Sequence, residues 1–210
     1  MGIPPRRQPP GLFWFLAVPN AIGDLALMML IGLIPIVGTM VIYGWYLAAR
    51  DHMRNGYWVV PRATFDYLAR GAGPFVAQFV YGAYSWAVYI AIFVAFVAAS
   101  VLRAPAIAFL AWLAFIPSWL ALTVASGFLF GAMVAVADQD GIGAACNPLR
   151  VFDVAVANAS ASWRVFGRYL LGALIGIAIG LVIPFGGVLV MPAAVLMAVP
   201  AQVEIAPRRV

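Results

Sequence analysis

The sequence predicts an all-α, polytopic helical membrane protein with four to six spanning or re-entrant helices and two interfacial amphipathic helices. Hydrophobic residues make up 66% of the 210 residues and charged residues only 9%, whereas soluble domains carry about 25% charged residues. Long apolar stretches, which are typical of spanning helices, lie at 12–49, 74–102, 105–137 and 169–203. The alternation of apolar and polar residues that would indicate a transmembrane barrel is absent from the sequence.

Proline followed by glycine divides the first and the last apolar stretch. The two runs are Ile34-Pro-Ile-Val-Gly38 and Ile183-Pro-Phe-Gly-Gly187. Such a pair breaks or kinks a helix, because proline removes a hydrogen bond and crowds the preceding turn. A single helix over 12–49 would also measure about 57 Å, well beyond a hydrocarbon core of about 30 Å. Each end stretch is therefore predicted to form a hairpin or re-entrant pair, and the two middle stretches a hairpin that turns at Arg103.

The arginines favour this arrangement. All twelve basic residues are arginine. Hairpins at both ends place eleven of them on one side of the membrane and only Arg103 on the other, whereas single crossings divide them seven to five. Positive residues collect on the cytoplasmic side of membrane proteins, so both termini are expected there. The net charge of +5 comes from these arginines, which flank the apolar stretches. Because their position is explained by orientation in the membrane, no nucleic-acid partner is expected.

Residues 1–10 are predicted to form a disordered tail, and 11–210 a single integral membrane domain. Two segments of this domain, 61–66 and 148–153, share the pattern Pro-x-x-x-Phe-Asp. Two degenerate repeats, about 21–102 and 105–203, are therefore an alternative description of the domain. Both segments are predicted to be amphipathic helices in the cytoplasmic interface. In the first, the four-residue spacing of Arg62, Asp66 and Arg70 predicts one ion-paired stripe.

A family resemblance rests on a series of short motifs. They are Ile34-Pro-Ile-Val-Gly38, Tyr43-Gly44-Trp-Tyr-Leu47, Arg50, Arg54, Gly56, Pro61, Phe65 and Arg70-Gly71. This succession resembles the prokaryotic membrane family called domain of unknown function 4013. Tyr43-Gly44 reverses the usual Gly-Tyr order of that family, and its acidic residues near the linker proline are largely absent. The resemblance implies a multi-pass protein of a prokaryotic cytoplasmic (inner) membrane, and it implies no chemistry, because the family has no assigned activity.

Glycine at every fourth position predicts faces where membrane helices pack closely. These glycines are Gly127 and Gly131 in one stretch and Gly172, Gly176 and Gly180 in another. Their contacts are either within the chain, which we favour, or between copies in an oligomer.

Asp24 and Gln78 are the candidate transport residues. Asp24 is the only acid inside an apolar stretch, where an ionisable group is costly enough to mark a function. Alternatively, Asn20 and Asp24 simply begin a helix near the interface. Further polar side chains that could line a pathway are Ser85, Ser100, Ser118, Thr123 and Ser126. Such groups more often bond across helices or to their own helix carbonyls.

Catalytic and metal-binding signatures are absent from the sequence. His52 is the only histidine and Cys146 the only cysteine, so neither has a partner ligand of its own kind. A calcium loop that could start at Asp138 lacks its final glutamate, because Leu149 stands at that position. We expect no enzymatic activity, no cofactor and no metal.

The sequence therefore predicts a non-enzymatic accessory or scaffolding subunit in the membrane. Its expected partners are membrane lipid and either other membrane-protein subunits or further copies of itself. The alternative is a small transporter or channel, in which broken helices at Pro35 and Pro184 expose backbone groups to a solute.

Overall fold

The chain is all-α over the residues that the computed structural model describes. These are 11–182 and 186–205, with side chains described outside 186–189. The predicted tail, 1–10, and the second predicted break, around Pro184, lie outside the described residues. A short 3-10 helix, Trp14–Ala17, precedes eight α-helices within these ranges: α1 Ala21–Gly32, α2 Val37–Arg54, α3 Leu68–Val101, α4 Pro105–Gln139, α5 Ile142–Ala145, α6 Pro148–Ala157, α7 Ala159–Gly180 and α8 Gly186–Gln202.

Three helices in the described part of the chain are long and apolar enough to cross a membrane. They are Phe65–Val101, which adds a 3-10 turn to the start of α3, Pro105–Gln139 and Ala159–Gly180. The helices Ala21–Gly32 and Val190–Gln202 are apolar but shorter. These helices confirm the predicted class, an all-α membrane protein.

The break at Pro35 and the turn at Arg103 are both confirmed. α1 ends at Gly32 and α2 begins at Val37, so the first apolar stretch is a pair of helices. Ile36, between them, has a φ of 63°. α3 ends two residues before Arg103, whose φ of 56° reverses the chain into α4. Both positions are therefore sharp changes of direction in an otherwise helical chain.

The two Pro-x-x-x-Phe-Asp segments differ in structure. The second forms α6, and the Asn147 side chain caps it by accepting hydrogen bonds from the N–H groups of Leu149 and Arg150. The first departs from the expected helix, because 57–64 has no regular secondary structure and only the turn Phe65–Tyr67 precedes α3. The repeat description of the domain stays a prediction.

α2 runs through the centre of the molecule. All of its residues from 41 to 47 are buried, and it packs against α1, α3 and α8. The indole Nε1 of Trp45 donates a hydrogen bond of 2.8 Å to the carbonyl oxygen of Pro61. α2 therefore also holds the extended segment 57–64 against the bundle.

Glycine allows α2 and α3 to cross at very short range. A Cβ at Gly71 would lie 1.7 Å from the carbonyl oxygen of Met40 and 2.7 Å from the nitrogen of Gly44. A Cβ at Gly44 would lie 2.1 Å from the carbonyl oxygen of Tyr67. All three neighbouring atoms belong to the backbone, so no side-chain rotation can make room.

Gly71→Ala should therefore destabilise the protein, because α2 and α3 must move apart to admit the methyl group. We expect a loss of about 1–3 kcal/mol or more in the free energy of unfolding, as for overpacked cores. Gly82→Ala is the matched control on α3, since a Cβ there meets nothing within 4 Å. The midpoint of thermal unfolding in dodecyl maltoside should fall for the first variant and hold or rise for the second. Equal midpoints would contradict the close crossing.

Candidate functional site

An ion-paired cluster closes one end of the bundle, which we call the polar end. The Nη2 of Arg50 donates to Asp51 at 2.8 Å and to Asp138 at 2.5 Å. The Nη2 of Arg70 donates to the same two carboxylates, at 2.5 and 3.0 Å. Only 1% of Arg50 and 12% of the Asp138 side chain are exposed. The cluster joins the ends of α2 and α4 to the start of α3.

This cluster corrects the predicted stripe of Arg62, Asp66 and Arg70. Asp66 accepts a hydrogen bond from the Thr64 hydroxyl at 3.0 Å, and Arg70 turns to Asp51 and Asp138 instead. The reason is that α3 begins only at Leu68, so the three residues do not share one helix face.

Asp51 remains ionised in this setting. Partial burial would raise the pKa of its carboxyl group, but the hydrogen bonds from Arg50 and Arg70 outweigh burial and hold the pKa below its ordinary value of 3.8. The cluster therefore pairs two carboxylates with two guanidinium groups at neutral pH.

Gln202 anchors the end of α8 at the same level. The hydroxyl of Tyr46 donates to its Oε1 at 3.1 Å, and its Nε2 donates to the carbonyl oxygen of Gly131 at 2.8 Å. Arg54 donates to the carbonyl oxygens of Val203 and Ile205, at 3.3 and 2.8 Å. These bonds satisfy polar groups that would otherwise be buried without partners. They connect α8 to α2 and α4.

The structure separates the two candidate transport residues. The carboxylate of Asp24, in the first turn of α1, accepts a hydrogen bond of 3.0 Å from the N–H of Ala63. Asp24 lines none of the cavities described below and braces the extended segment 57–64. Asn20 precedes α1 with a φ of 63° and makes no side-chain cap.

Gln78 lines two cavities, which we together call the Tyr43–Gln78 cleft. The first, of about 360 Å³, lies among α2, α3, α4 and α7, and the second, of about 640 Å³, between α2 and α3. Both are lined by Tyr43 and Gln78. Four of the six polar residues singled out in the sequence meet in the first cavity: Gln78, Ser85, Thr123 and Ser126. Ser85 and Ser100 each donate to a carbonyl oxygen of their own helix, those of Tyr81 and Phe96, and Ser100 lines neither cavity.

Tyr43 is the residue of the cleft that sequence reasoning missed. It is 4% exposed, and within the described residues its hydroxyl makes no hydrogen bond. Its ring centroid lies 6.0 Å from that of Phe130, which stacks on Tyr169 at 5.2 Å. In the sequence, Tyr43 appears only as part of the Tyr43-Gly44 motif, which gives no indication of a cavity.

The predicted packing glycines contact other helices of the same chain where their surroundings are described. A Cβ at Gly127 would lie 2.1 Å from the Phe166 ring of α7, and one at Gly172 would lie 2.3 Å from Cβ of Ala194 in α8. A Cβ at Gly131 would meet Ile205 at 2.6 Å. Gly176 is buried and Gly180 is exposed. An additional role in an oligomer stays a prediction.

Metal ligands do not converge in the described part of the chain. No group of three or more His, Cys, Asp or Glu side chains there could hold a metal ion. Asp138 and Asp140, the start of the rejected calcium loop, pair with arginines instead: Asp138 within the cluster, and Asp140 with Arg150 at 3.0 Å.

The fold and the cleft define an all-α protein of membrane-spanning type, built around one buried central helix. The chain matches the model of the family described as "Protein of unknown function (DUF4013)" over residues 27–192. It belongs to that family, and the resemblance found in its motifs is confirmed. No curated protein and no solved structure matches it.

Asp138→Asn should destabilise the protein strongly. The substitution keeps the shape of the side chain but leaves buried Arg50 with Asp51 as its remaining carboxylate. Breaking a buried ion pair in this way costs about 3–5 kcal/mol. The matched control is Glu204→Gln, because Glu204 and its partner Arg164 are both about half exposed, and such pairs contribute less than about 1 kcal/mol. Equal losses of the two variants in an SDS unfolding titration would contradict a structural role for the cluster.

Proposed function

We propose that this protein is a non-enzymatic membrane subunit that packs against other membrane proteins through the far part of its α3–α4 hairpin. The observation that carries the proposal is that the rest of the described chain leaves this part uncovered. From 82 to 125, Ala99 is the one buried residue. We call residues 82–125 the distal hairpin.

Helix lengths explain why the distal hairpin stands apart. From Arg50, α2 extends about 20 Å away from the polar end, and α8 extends about 24 Å from Gln202. α3 and α4 extend about 47–50 Å from Arg70 and Asp138. In a membrane of about 40–45 Å with its headgroups, the hairpin crosses fully, whereas α2 and α8 stop near the middle. One leaflet would therefore contain α3 and α4 without α2 or α8 beside them.

The surface of the distal hairpin suits contact with other helices. Large aromatic side chains project from both helices: Trp86, Phe93, Phe109, Trp112, Phe115 and Trp119 are all exposed. Between membrane helices, association depends on close packing and not on the hydrophobic effect. Protruding rings of this size form an uneven surface against which a partner helix can pack closely. Lipid tails are the alternative contact for the same rings.

The charged residues support a role without catalysis. Six of the seven acidic side chains accept structural hydrogen bonds within the described chain: Asp24, Asp51, Asp66, Asp138, Asp140 and Glu204. The same contacts gather arginines at the polar end, while Arg103 lies at the far turn of the hairpin. With the positive-inside rule, this distribution supports a cytoplasmic polar end in a prokaryotic inner membrane.

Phe109→Ala and Trp112→Ala should release a bound partner without destabilising the protein. Phe109 and Trp112 stack on each other, 6.2 Å apart, and both are exposed. Native mass spectrometry of the protein released gently from its own membrane should show a complex of fixed stoichiometry. The double variant should lose that complex and keep its unfolding midpoint.

Ile22→Ala on α1 is the control, since Ile22 is slightly more exposed than Phe109 and Trp112 but lies away from the hairpin. It should retain the complex. A solitary monomer from the unmodified protein, or equal loss of partner in both variants, would contradict the proposal.

A small transporter is the second candidate function, and the polar lining of the Tyr43–Gln78 cleft favours it. Hydroxyl and amide groups that line a cavity between spanning helices are the groups a solute would contact. In proteoliposomes, Gln78→Leu should change solute flux and Asp24→Asn should not, because Asp24 lies outside the cleft. Unchanged flux of glycerol and urea in the Gln78 variant would remove this candidate.

A further inference from the structure

The Tyr43–Gln78 cleft contains hydrogen-bonding groups that have no partner in the described part of the chain. Within the described residues, the hydroxyl of Tyr43 and the amide of Gln78 have no hydrogen-bond partner. Tyr43 is more than nine-tenths buried and lines both cavities. A polar group that faces a cavity between helices without a protein partner is free to hydrogen-bond to a bound molecule.

The lining limits the charge of that molecule. None of the residues that line either cavity is ionised at neutral pH; the polar ones are hydroxyl-bearing residues and Gln78. A charged head group would lose hydration there without gaining a counter-ion, which is unfavourable. The cleft therefore favours an uncharged head group.

The two cavities differ in character. In the first, the rings of Tyr43, Phe130 and Tyr169 follow one another, and they stand beside the hydroxyls of Thr123 and Ser126. Aromatic rings prefer to pack against other flat rings, offset or edge to face. The second cavity is mainly apolar, lined by side chains that include Phe75, Phe79, Trp86 and Ile90. A flat polar head suits the first cavity and an apolar tail suits the second.

We infer that the Tyr43–Gln78 cleft binds an uncharged amphiphile whose flat head carries carbonyl acceptors, as a quinone ring does, and whose tail is apolar. The hydroxyl of Tyr43 and the amide of Gln78 donate hydrogen bonds to the head, and the tail lies along α3. This site shares Trp86 and Ile90 with the distal hairpin, whereas Tyr43 and Gln78 lie outside the hairpin. It goes beyond the proposed accessory role and assigns a ligand class to the cleft.

Decylubiquinone is the probe, and the protein is held in nanodiscs of zwitterionic phospholipid so that detergent does not compete. Saturable quenching of tryptophan fluorescence is expected, because Trp86 lines the second cavity. Tyr43→Phe keeps the ring and removes the hydroxyl, so it should weaken binding about fivefold, and Gln78→Leu should do the same. Tyr84→Phe is the matched control: Tyr84 is exposed on α3 and lines neither cavity.

Two further probes test the head group. Dodecyl phosphate carries a charge and should bind at least tenfold more weakly, and dioctanoylglycerol has carbonyl groups but no flat ring and should also bind more weakly. Non-saturable quenching, equal affinity in all three variants, or tighter binding of either comparison probe would overturn the inference. Unchanged unfolding midpoints in the variants exclude a loss of fold as the cause.

Discussion

Arg50 carries a positive charge into a place where 1% of its surface is exposed, and the rest of the structure depends on how that charge is neutralised. Because arginine cannot lose its proton in a protein, the charge must be paired. Asp51 and Asp138 provide the carboxylates, and Arg70 shares both of them. This pairing requires the ends of α2 and α4 and the start of α3 to meet at one level, and from that level α3 and α4 leave side by side.

The shortness of α2 determines where close packing stops. Near the polar end, glycine brings α2 and α3 into backbone contact at Gly44 and Gly71. These two glycines belong to separate motifs of the family resemblance, and the fold brings them together. Farther along α3, around Gln78, the packing opens into the cleft, and beyond α2 the described part of the chain buries no hairpin residue except Ala99. Along the length of α3 and α4, the molecule therefore consists of the ion-paired polar end, then the Tyr43–Gln78 cleft, and then the uncovered distal hairpin.

Local signals in the sequence were sufficient for the class, for the break at Pro35 and for the turn at Arg103, because hydropathy and proline act on neighbouring residues. They also singled out Gln78 and the hydroxyl residues that meet in the cleft. Local signals could not predict which distant helix ends pair. The four-residue spacing predicted that Arg70 pairs with Asp66, whereas Arg70 pairs with Asp51 and Asp138, which lie 19 and 68 residues away in the sequence. Tyr43 lies beside the buried aromatic residues Trp45 and Tyr46. No sequence feature indicates that the hydroxyl of Tyr46 has a hydrogen-bond partner and that the hydroxyl of Tyr43 has none.

The long-range bonds of α2 also constrain how the protein is made. Asp138 follows Arg50 by 88 residues, and Gln202 follows Tyr46 by 156. The ribosome thus delivers α2 to the membrane well before the groups that neutralise and enclose it have been synthesised. Until then, Asp51 is the one carboxylate of the cluster that can pair with Arg50. The surroundings of α2, the centre of the finished molecule, are therefore complete only once α8 has been synthesised.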